Sequence, residues 1–269
     1  MAHPLPLTGE RTVPGVAGEE YWFARHEAAY RWLVTTYAEE LTGAMVVEAG
    51  SGEGYGAQML IEAGARTVLA LEYDEAAVAH AGTAYPGVTT LRANLAGVPV
   101  ADARVDVLVT MQVVEHLWDL RGFLRDCARV LRPGGHIVVT TPNRPIFSPG
   151  LRRGEKPTNP FHVEEFDADQ LHDLLREAGF TEVTVHGLHH GPRIDAWEQR
   201  SGTTLVAAQL DAVLHPSPDP DHLAVTRPGK PPADQGQGWP DLVSSIGVED
   251  FVLAAALGAQ DLVATAVRP

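Results

Sequence analysis

Gln112, Glu115 and His116 follow the apolar run Val105–Thr110 (VDVLVT). On a helical turn they stand at i, i+3 and i+4, which puts all three on one face. A neutral imidazole takes up a proton near pH 7, so His116 is the candidate general base. Glu115 is placed to orient that ring or to act through a bound ion. The plainer alternative is a Glu-His pair that caps a helix. A second group surrounds a glycine turn, Glu48-Ala-Gly50-Ser51-Gly52-Glu53-Gly54-Tyr55-Gly56. Glycines let the chain turn tightly and let a ligand approach the backbone. The helix expected after them offers N–H groups to a polar or anionic partner. A dinucleotide fingerprint from Gly50 requires glycine at position 55, which is Tyr55. Glu72 lies 20 residues past Gly52, where an acid accepts hydrogen bonds from ribose hydroxyls in nucleotide-binding α/β folds. Asp74 suits the N-cap of the next helix.

These groups are punctuated by alternating strand and helix patterns. Residues 1–18 read as an irregular arm. From Glu19 to about Leu41 the spacing of Tyr30, Leu33, Tyr37 and Leu41 predicts a helix, stopped by Gly43. Strands are expected at Ala44–Ala49, Thr67–Tyr73, Val88–Ala93, Val105–Thr110, His136–Thr141, Thr181–Val185 and Leu262–Val267. Helices are expected at Tyr55–Gly64, Glu75–Ala84, Leu120–Leu131 and Asp167–Ala178, with more between Pro192 and Leu214. Pro133-Gly134-Gly135 breaks the helix before it, and the proline-rich stretch 216–240 reads as a loop. Such alternation implies right-handed βαβ units and a parallel sheet covered on both faces. Ligands then bind beyond the carboxyl ends of the strands. The segments divide as 1–43 (arm and helix), 44–191 (core), 192–260 (helical and loop insertion) and 261–269 (final strand).

The 269 residues carry 20 Lys+Arg against 35 Asp+Glu, a formal charge of −15. That balance argues against nonspecific nucleic-acid binding, which needs phosphate neutralisation. Lys156 and Lys230 are the two lysines, so no polybasic run addresses an anionic membrane. No window of about 18 residues is continuously apolar, so no membrane span is expected. The single cysteine, Cys127, cannot form an internal disulfide and reads as core. A reducing, cytoplasmic compartment is the simplest expectation.

The apolar run, Glu48 and the glycines at 50, 52, 54 and 56 resemble motif I of class I S-adenosylmethionine-dependent methyltransferases. The segment VDVLVTMQVVEHLWDL…RVLRPGGHIVVTTPNR is similar to that family's fourth strand, connecting helix and fifth strand. The resemblance covers about residues 44–185. It implies a Rossmann-like α/β fold, a mostly parallel seven-stranded sheet with an antiparallel last strand, and S-adenosyl-L-methionine as cofactor. It assigns Glu48, Gly50, Ser51, Gly52, Gly54, Glu72, Tyr73, Asn94, Leu95 and Met111 to that cofactor. Asn94 stands where the family usually has Asp, and its carbonyl oxygen can accept the same bond from adenine. Some family members carry Glu-x-x-Glu-His plus a later His as metal ligands. Glu115, His116 and His162 (in Asn159-Pro-Phe-His-Val) resemble that set, and Gln112 departs from it, which makes a divalent cation an alternative to a metal-free acceptor site.

Acceptor residues implied in this way are His26, Asn143, Arg144 and His162. The loop Pro145–Phe161, with Phe147, Arg152, Arg153 and Lys156, reads as an acceptor lid or a solvated basic loop. Tyr21, Trp22 and Phe23 suit either packing over a ligand or fastening the first helix. The adjacent His189 and His190 point apart on a strand, which disfavours a shared metal. The arm (Gly9-Glu10-Arg11…Pro14-Gly15), with TPNR, NPFHV and LHHGPR, is similar to the oligosaccharide methyltransferases of the mycofactocin system. That resemblance implies a small-molecule or oligosaccharide acceptor methylated on a sugar hydroxyl. A phenol, carboxylate or amine acceptor is the rival, and the oligomeric state is left open.

Overall fold

The computed structural model describes residue 5, residues 10–208 and residues 239–269. The chain runs α1 (Glu20–Thr36), α2 (Ala38–Leu41), β1 (Met45–Ala49), α3 (Tyr55–Glu62), β2 (Thr67–Glu72), α4 (Glu75–Ala84), β3 (Thr89–Arg92) and β4 (Val105–Met111). It continues α5 (Leu120–Val130), β5 (Leu131–Pro142), α6 (Arg144–Phe147), α7 (Ala168–Glu177), β6 (Thr181–His190), α8 (Pro192–Ser201), α9 (Trp239–Val243), β7 (Phe251–Ala255) and β8 (Asp261–Val267). The expected arm residues before Glu10 other than residue 5, the helix after residue 208 and the loop up to residue 238 lie outside the described residues.

The sheet order is β3-β2-β1-β4-β5-β8-β6-β7. β1 to β5 pair in parallel, and β8 runs antiparallel between β5 and β6. Two expectations are corrected. The sheet has eight strands among the described residues, because β7, inside the segment expected as helix and loop, adds an antiparallel edge to β6. Strand six also runs on to His190, five residues beyond its expected end. Its apolar signal ends at Val185, but pairing to β7 and β8 holds the polar continuation extended.

Each central strand sends alternate residues to opposite faces. Val47, Leu108, Ile137 and Val139 join Phe123, Leu124, Leu171 and Leu175 in one core. Val46, Val107, Val109 and Val138 join Leu33 and Leu60 in the other. This is why the strands read as unbroken apolar runs. Cys127 is fully buried among the first set. No helix among the described residues is long and apolar enough to cross a membrane.

The elements end where their sequences dictate. Asp74, Asp119 and Asp167 cap α4, α5 and α7 by accepting from Ala76, Gly122 and Gln170 backbone N–H groups. The expected helix over Glu19–Leu41 is broken at Tyr37 into α1 and α2.

A candidate cofactor and acceptor cavity

A cavity of about 870 Å³ opens beyond the carboxyl ends of β1, β2 and β4. The glycine turn forms one wall. Gly50 has φ +82°, and a Cβ there would run into the side chain of Val113. Gly54 opens α3 at φ +105°, where a Cβ would press on Ala81. These positions therefore need glycine on both backbone and packing grounds.

The turn satisfies most of its own donors. Gly50 and Ser51 N–H both donate to the Leu71 carbonyl, at 2.8 and 3.0 Å. Gly52 N–H donates to Glu72 Oε2 at 2.9 Å, and Tyr55 N–H to Glu53 Oε2 at 3.2 Å. The expectation of several free helix N–H groups is corrected accordingly. Ser51 Oγ, by contrast, is buried at the cavity wall without a hydrogen-bond partner. Glu72 also accepts from Tyr73 and Asp74 N–H, each at 2.9 Å. A carboxylate offers roughly four acceptor sites, so Glu72 enters the cavity already fixed and with capacity to spare. Asn94 lines the cavity and its Oδ1 accepts from Ala96 N–H at 3.0 Å. Tyr73, Leu95, Met111 and His26 line it as well.

Glu48 and Gly54 do not line the cavity. Glu48 is wholly buried behind the turn, accepting from the Tyr30 hydroxyl. Burial pushes its carboxyl up to about 8, against the lowering effect of that hydroxyl. It acts by holding α1 to β1. Burial likewise takes the His26 ring down to about 3, so it lines the cavity as a neutral imidazole.

The segment after β4 departs from the expected single face. Gln112 sits at φ +55°, a rare conformation for a residue with a side chain. It is followed by a three-residue 3₁₀ turn, Val114–His116. Gln112 and His116 reach the cavity, whereas Glu115 turns into the core and accepts from Thr141 Oγ1 at 3.0 Å. Burial raises the Glu115 carboxyl, opposed by the nearby His116 and His162. Its oxygen is 4.0 Å from His116 Nε2. His116 Nδ1 donates to the Phe161 carbonyl at 3.0 Å.

His162 is buried, close against His116, with its ring centroid 5.0 Å away. Its Nδ1 donates to Glu165 at 2.7 Å. Burial alone would lower its affinity for a proton, but Glu10 and Glu165 outweigh that and take it up to about 9.

Asn143 and Arg144 are corrected from acceptor residues to scaffold. Asn143 is buried and donates to the Ala259 carbonyl at 2.7 Å. Arg144 is buried against Asp167 and Gln170, reaching Gln170 Oε1 at 2.8 Å. Both tie the end of β5 to neighbouring segments instead of facing the cavity. Of the expected lid, Phe161 lines the cavity, while Arg152, Arg153 and Lys156 are exposed away from it. Tyr21 is buried in the core, donating or accepting at His190 Nε2 over 2.8 Å.

Sequence reasoning missed the arm. Glu10, Arg11 and Thr12 line the cavity. Arg11 pairs with Asp74 at 2.7 Å, Thr12 with the Tyr55 hydroxyl at 3.0 Å, and Glu10 with Asn159 at 3.1 Å. No local pattern announces such contacts. Also unforeseen is the buried pair Arg25–Asp261 at 2.9 Å, with Arg25 lying between Trp22 and Phe147 and donating to Gln112 at 3.4 Å.

A glycine turn after β1, an acid ending β2 and a cavity across the switch in strand order define an α/β enzyme that binds a nucleoside-type cofactor. Residues 47–139 match a family described as a methyltransferase domain. The chain is 45% identical over 271 residues to a Mycobacterium tuberculosis protein named a probable S-adenosylmethionine-dependent methyltransferase, covering 98% of this chain and 90% of that one. It is 28% identical over 174 residues to the ubiquinone biosynthesis O-methyltransferase of Vibrio parahaemolyticus, covering 60% of this chain and 74% of that one. The fold is similar to that of a Thermotoga maritima SAM-dependent methyltransferase, with a TM-score of 0.57, 19% identity and coverage of 93% and 94%. The chain belongs to the S-adenosylmethionine-dependent methyltransferases.

The cavity fits that cofactor. Its volume lies within the roughly 300–1,000 Å³ of small-molecule sites, the glycine wall lets a ligand approach the backbone, and Ser51 Oγ is an unpartnered buried polar atom in that wall.

Proposed function

We propose that this enzyme methylates a hydroxyl group, most specifically a sugar hydroxyl of an oligosaccharide such as the glucose of a mycofactocin-type glycan. Bound S-adenosylmethionine supplies a sulfonium-activated methyl group. Gly50, Ser51 and Gly52 line the wall against which it rests, Glu72 offers its carboxylate to the ribose, and Asn94 and Leu95 address the adenine. His116 stands at the acceptor end. With Nδ1–H held by the Phe161 carbonyl, its Nε2 carries the lone pair that takes the hydroxyl proton. Transfer to that oxygen would leave the demethylated cofactor behind, and this chain's part would be to hold the hydroxyl in line with the methyl group, since positioning supplies much of the rate.

The observation that carries the acceptor class is the cavity mouth. Trp118 is 92% and Phe161 56% exposed, and both line the cavity with His116, Glu10 and Asp119. Aromatic faces beside hydrogen-bonding groups suit a sugar ring, whose C–H face is apolar and whose edge is polar. Glu10, Glu53, Glu72 and Asp119 face one lining cation, Arg11, itself paired with Asp74. That balance disfavours a carboxylate acceptor. The same acidity would also suit an amine, which is the second reading.

Incubation with methyl-labelled cofactor and separate panels of glucose oligosaccharides, phenols, carboxylates and amines tests the assignment. Label in a base-stable ether of the oligosaccharide is expected. Label confined to amines replaces this reading with the second.

A further inference from the structure

We propose that Glu10, His116 and His162 form a binding site for one divalent transition-metal ion, of the Zn²⁺ or Mn²⁺ type, at the acceptor end of the cavity. One ligand atom from each lies within 4.8 Å of the others. Glu10 Oε2 is 3.6 Å from the Nε2 atoms of both His116 and His162. Ligands about 2.0–2.2 Å from a tetrahedral ion stand about 3.4 Å apart. The carboxylate is thus already near the required spacing from each ring.

The outer contacts orient both rings for this role. His116 Nδ1 is engaged by the Phe161 carbonyl and His162 Nδ1 by the Glu165 carboxylate. Such partners fix the tautomer that leaves the Nε2 lone pair inward, and a carboxylate behind a histidine makes it a stronger ligand. Two lone pairs and a carboxylate turned on one another repel unless a cation stands among them. Asn159 Nδ2, 3.0 Å from His162 Nε2, would yield its place to the ion while its Oδ1 keeps the Phe161 N–H.

A second cluster shows what such a site lacks. His190, Asp195 and Glu198 are equally close, yet His190 spends Nε2 on the Tyr21 hydroxyl and Nδ1 on Glu198. There the cluster's own carboxylate already closes on Nδ1 and a buried hydroxyl on Nε2, whereas the hydrogen bond of His162 Nε2 is to the Asn159 side-chain amide. The proposed trio also differs from the set expected from sequence. Glu115, turned to Thr141, is replaced by Glu10 from the arm.

Two imidazoles and a carboxylate suit a borderline ion, and three protein ligands leave a position open for an acceptor oxygen. The catalytic consequence rests on the O-methyltransferase reading. With the ion seated, His116 is a ligand, and the ion lowers the pKa of a hydroxyl bound to it.

Titration calorimetry on the full, metal-stripped chain with ZnCl₂, MnCl₂ and MgCl₂ tests binding apart from activity. One Zn²⁺ or Mn²⁺ per chain is expected, with Mg²⁺ much weaker. Glu10→Gln and His162→Asn are each expected to weaken binding about tenfold or more, whereas His172→Gln, exposed on α7, leaves it unchanged. Circular dichroism confirms that each variant is folded. Binding no tighter than millimolar, or folded Glu10→Gln and His162→Asn proteins that bind as wild type does, would overturn the site. Methylation that survives chelation removes the ion's catalytic role and leaves the O-methyltransferase reading intact. A tight ion with no methylated hydroxyl does the reverse.

Discussion

The two halves of the cavity are built by different means. The half proposed for the cofactor comes from three short stretches at strand ends, Gly50–Glu53, Leu71–Tyr73 and Asn94–Ala96. Its key contacts are between those stretches and the backbone, as where Gly52 and Asp74 N–H groups meet Glu72. The acceptor half draws Glu10 from the arm, Gln112 and His116 from the end of β4, and Phe161 from the segment before α7, with His162 buried behind His116 and Glu10 and not in the lining. Its contacts join side chains far apart in the chain. Local backbone geometry makes the first half robust and recognisable. The second half depends on how remote segments are held, and its specificity can change without changing the fold.

The largest expected effect breaks the acceptor half alone. His116→Ala should lower turnover by about 10²–10⁴, the usual worth of a positioned acid–base group. Its cofactor affinity, read by calorimetry, should stay near wild type. A comparable loss of cofactor binding would mean that the two halves are not separable.

Next is the buried tie beneath Gln112. Asp261→Ala leaves Arg25 buried and unpaired between Trp22 and Phe147. Removing one partner of a buried ion pair costs about 3–5 kcal/mol, to be read from urea unfolding. A change under about 1 kcal/mol would show that the pair is dispensable.

Glu72→Ala should act on the other half. Losing charge-assisted hydrogen bonds of about 1.5–3 kcal/mol weakens cofactor binding by roughly one to two orders of magnitude. Turnover at saturating cofactor should change much less. Unchanged cofactor affinity would remove Glu72 from the ribose role.

The smallest effect concerns pH. Glu48 binds its proton more tightly when folded, with a pKa of about 8 against an ordinary 4.5. The folded state then holds more protons than the unfolded one between those values. This contribution to stability is complete below about 4.5 and is lost as pH rises through about 8. Thermal unfolding of Glu48→Gln, which keeps an acceptor for the Tyr30 hydroxyl, should fall less steeply over that range than wild type. Parallel curves would show that Glu48 does not titrate there.

The same contrast explains what could be read in advance. The strand runs, the glycine turn and Glu72 were legible because their signals are local: an unbroken apolar run, a cluster of glycines, an acid at a strand end. The single face drawn through Gln112, Glu115 and His116 failed because Gln112 takes φ +55° and the turn after it is 3₁₀. An α-helical wheel does not describe that segment. β7 was missed because its residues pair at an edge and are mostly exposed, so burial leaves little pattern. Asn143 and Arg144 were misplaced because position after a strand says nothing of which way a side chain turns.

By itself the sequence determined the layered α/β architecture, the glycine turn after β1 and the acid at the end of β2, both of which line the cavity, since each follows from residues adjacent in the chain. Only the tertiary structure decided that Glu10 meets His116 and His162, that Glu115 turns inward and that Arg25 lies against Asp261. Those meetings are set by the packing of distant segments, and no local propensity encodes them.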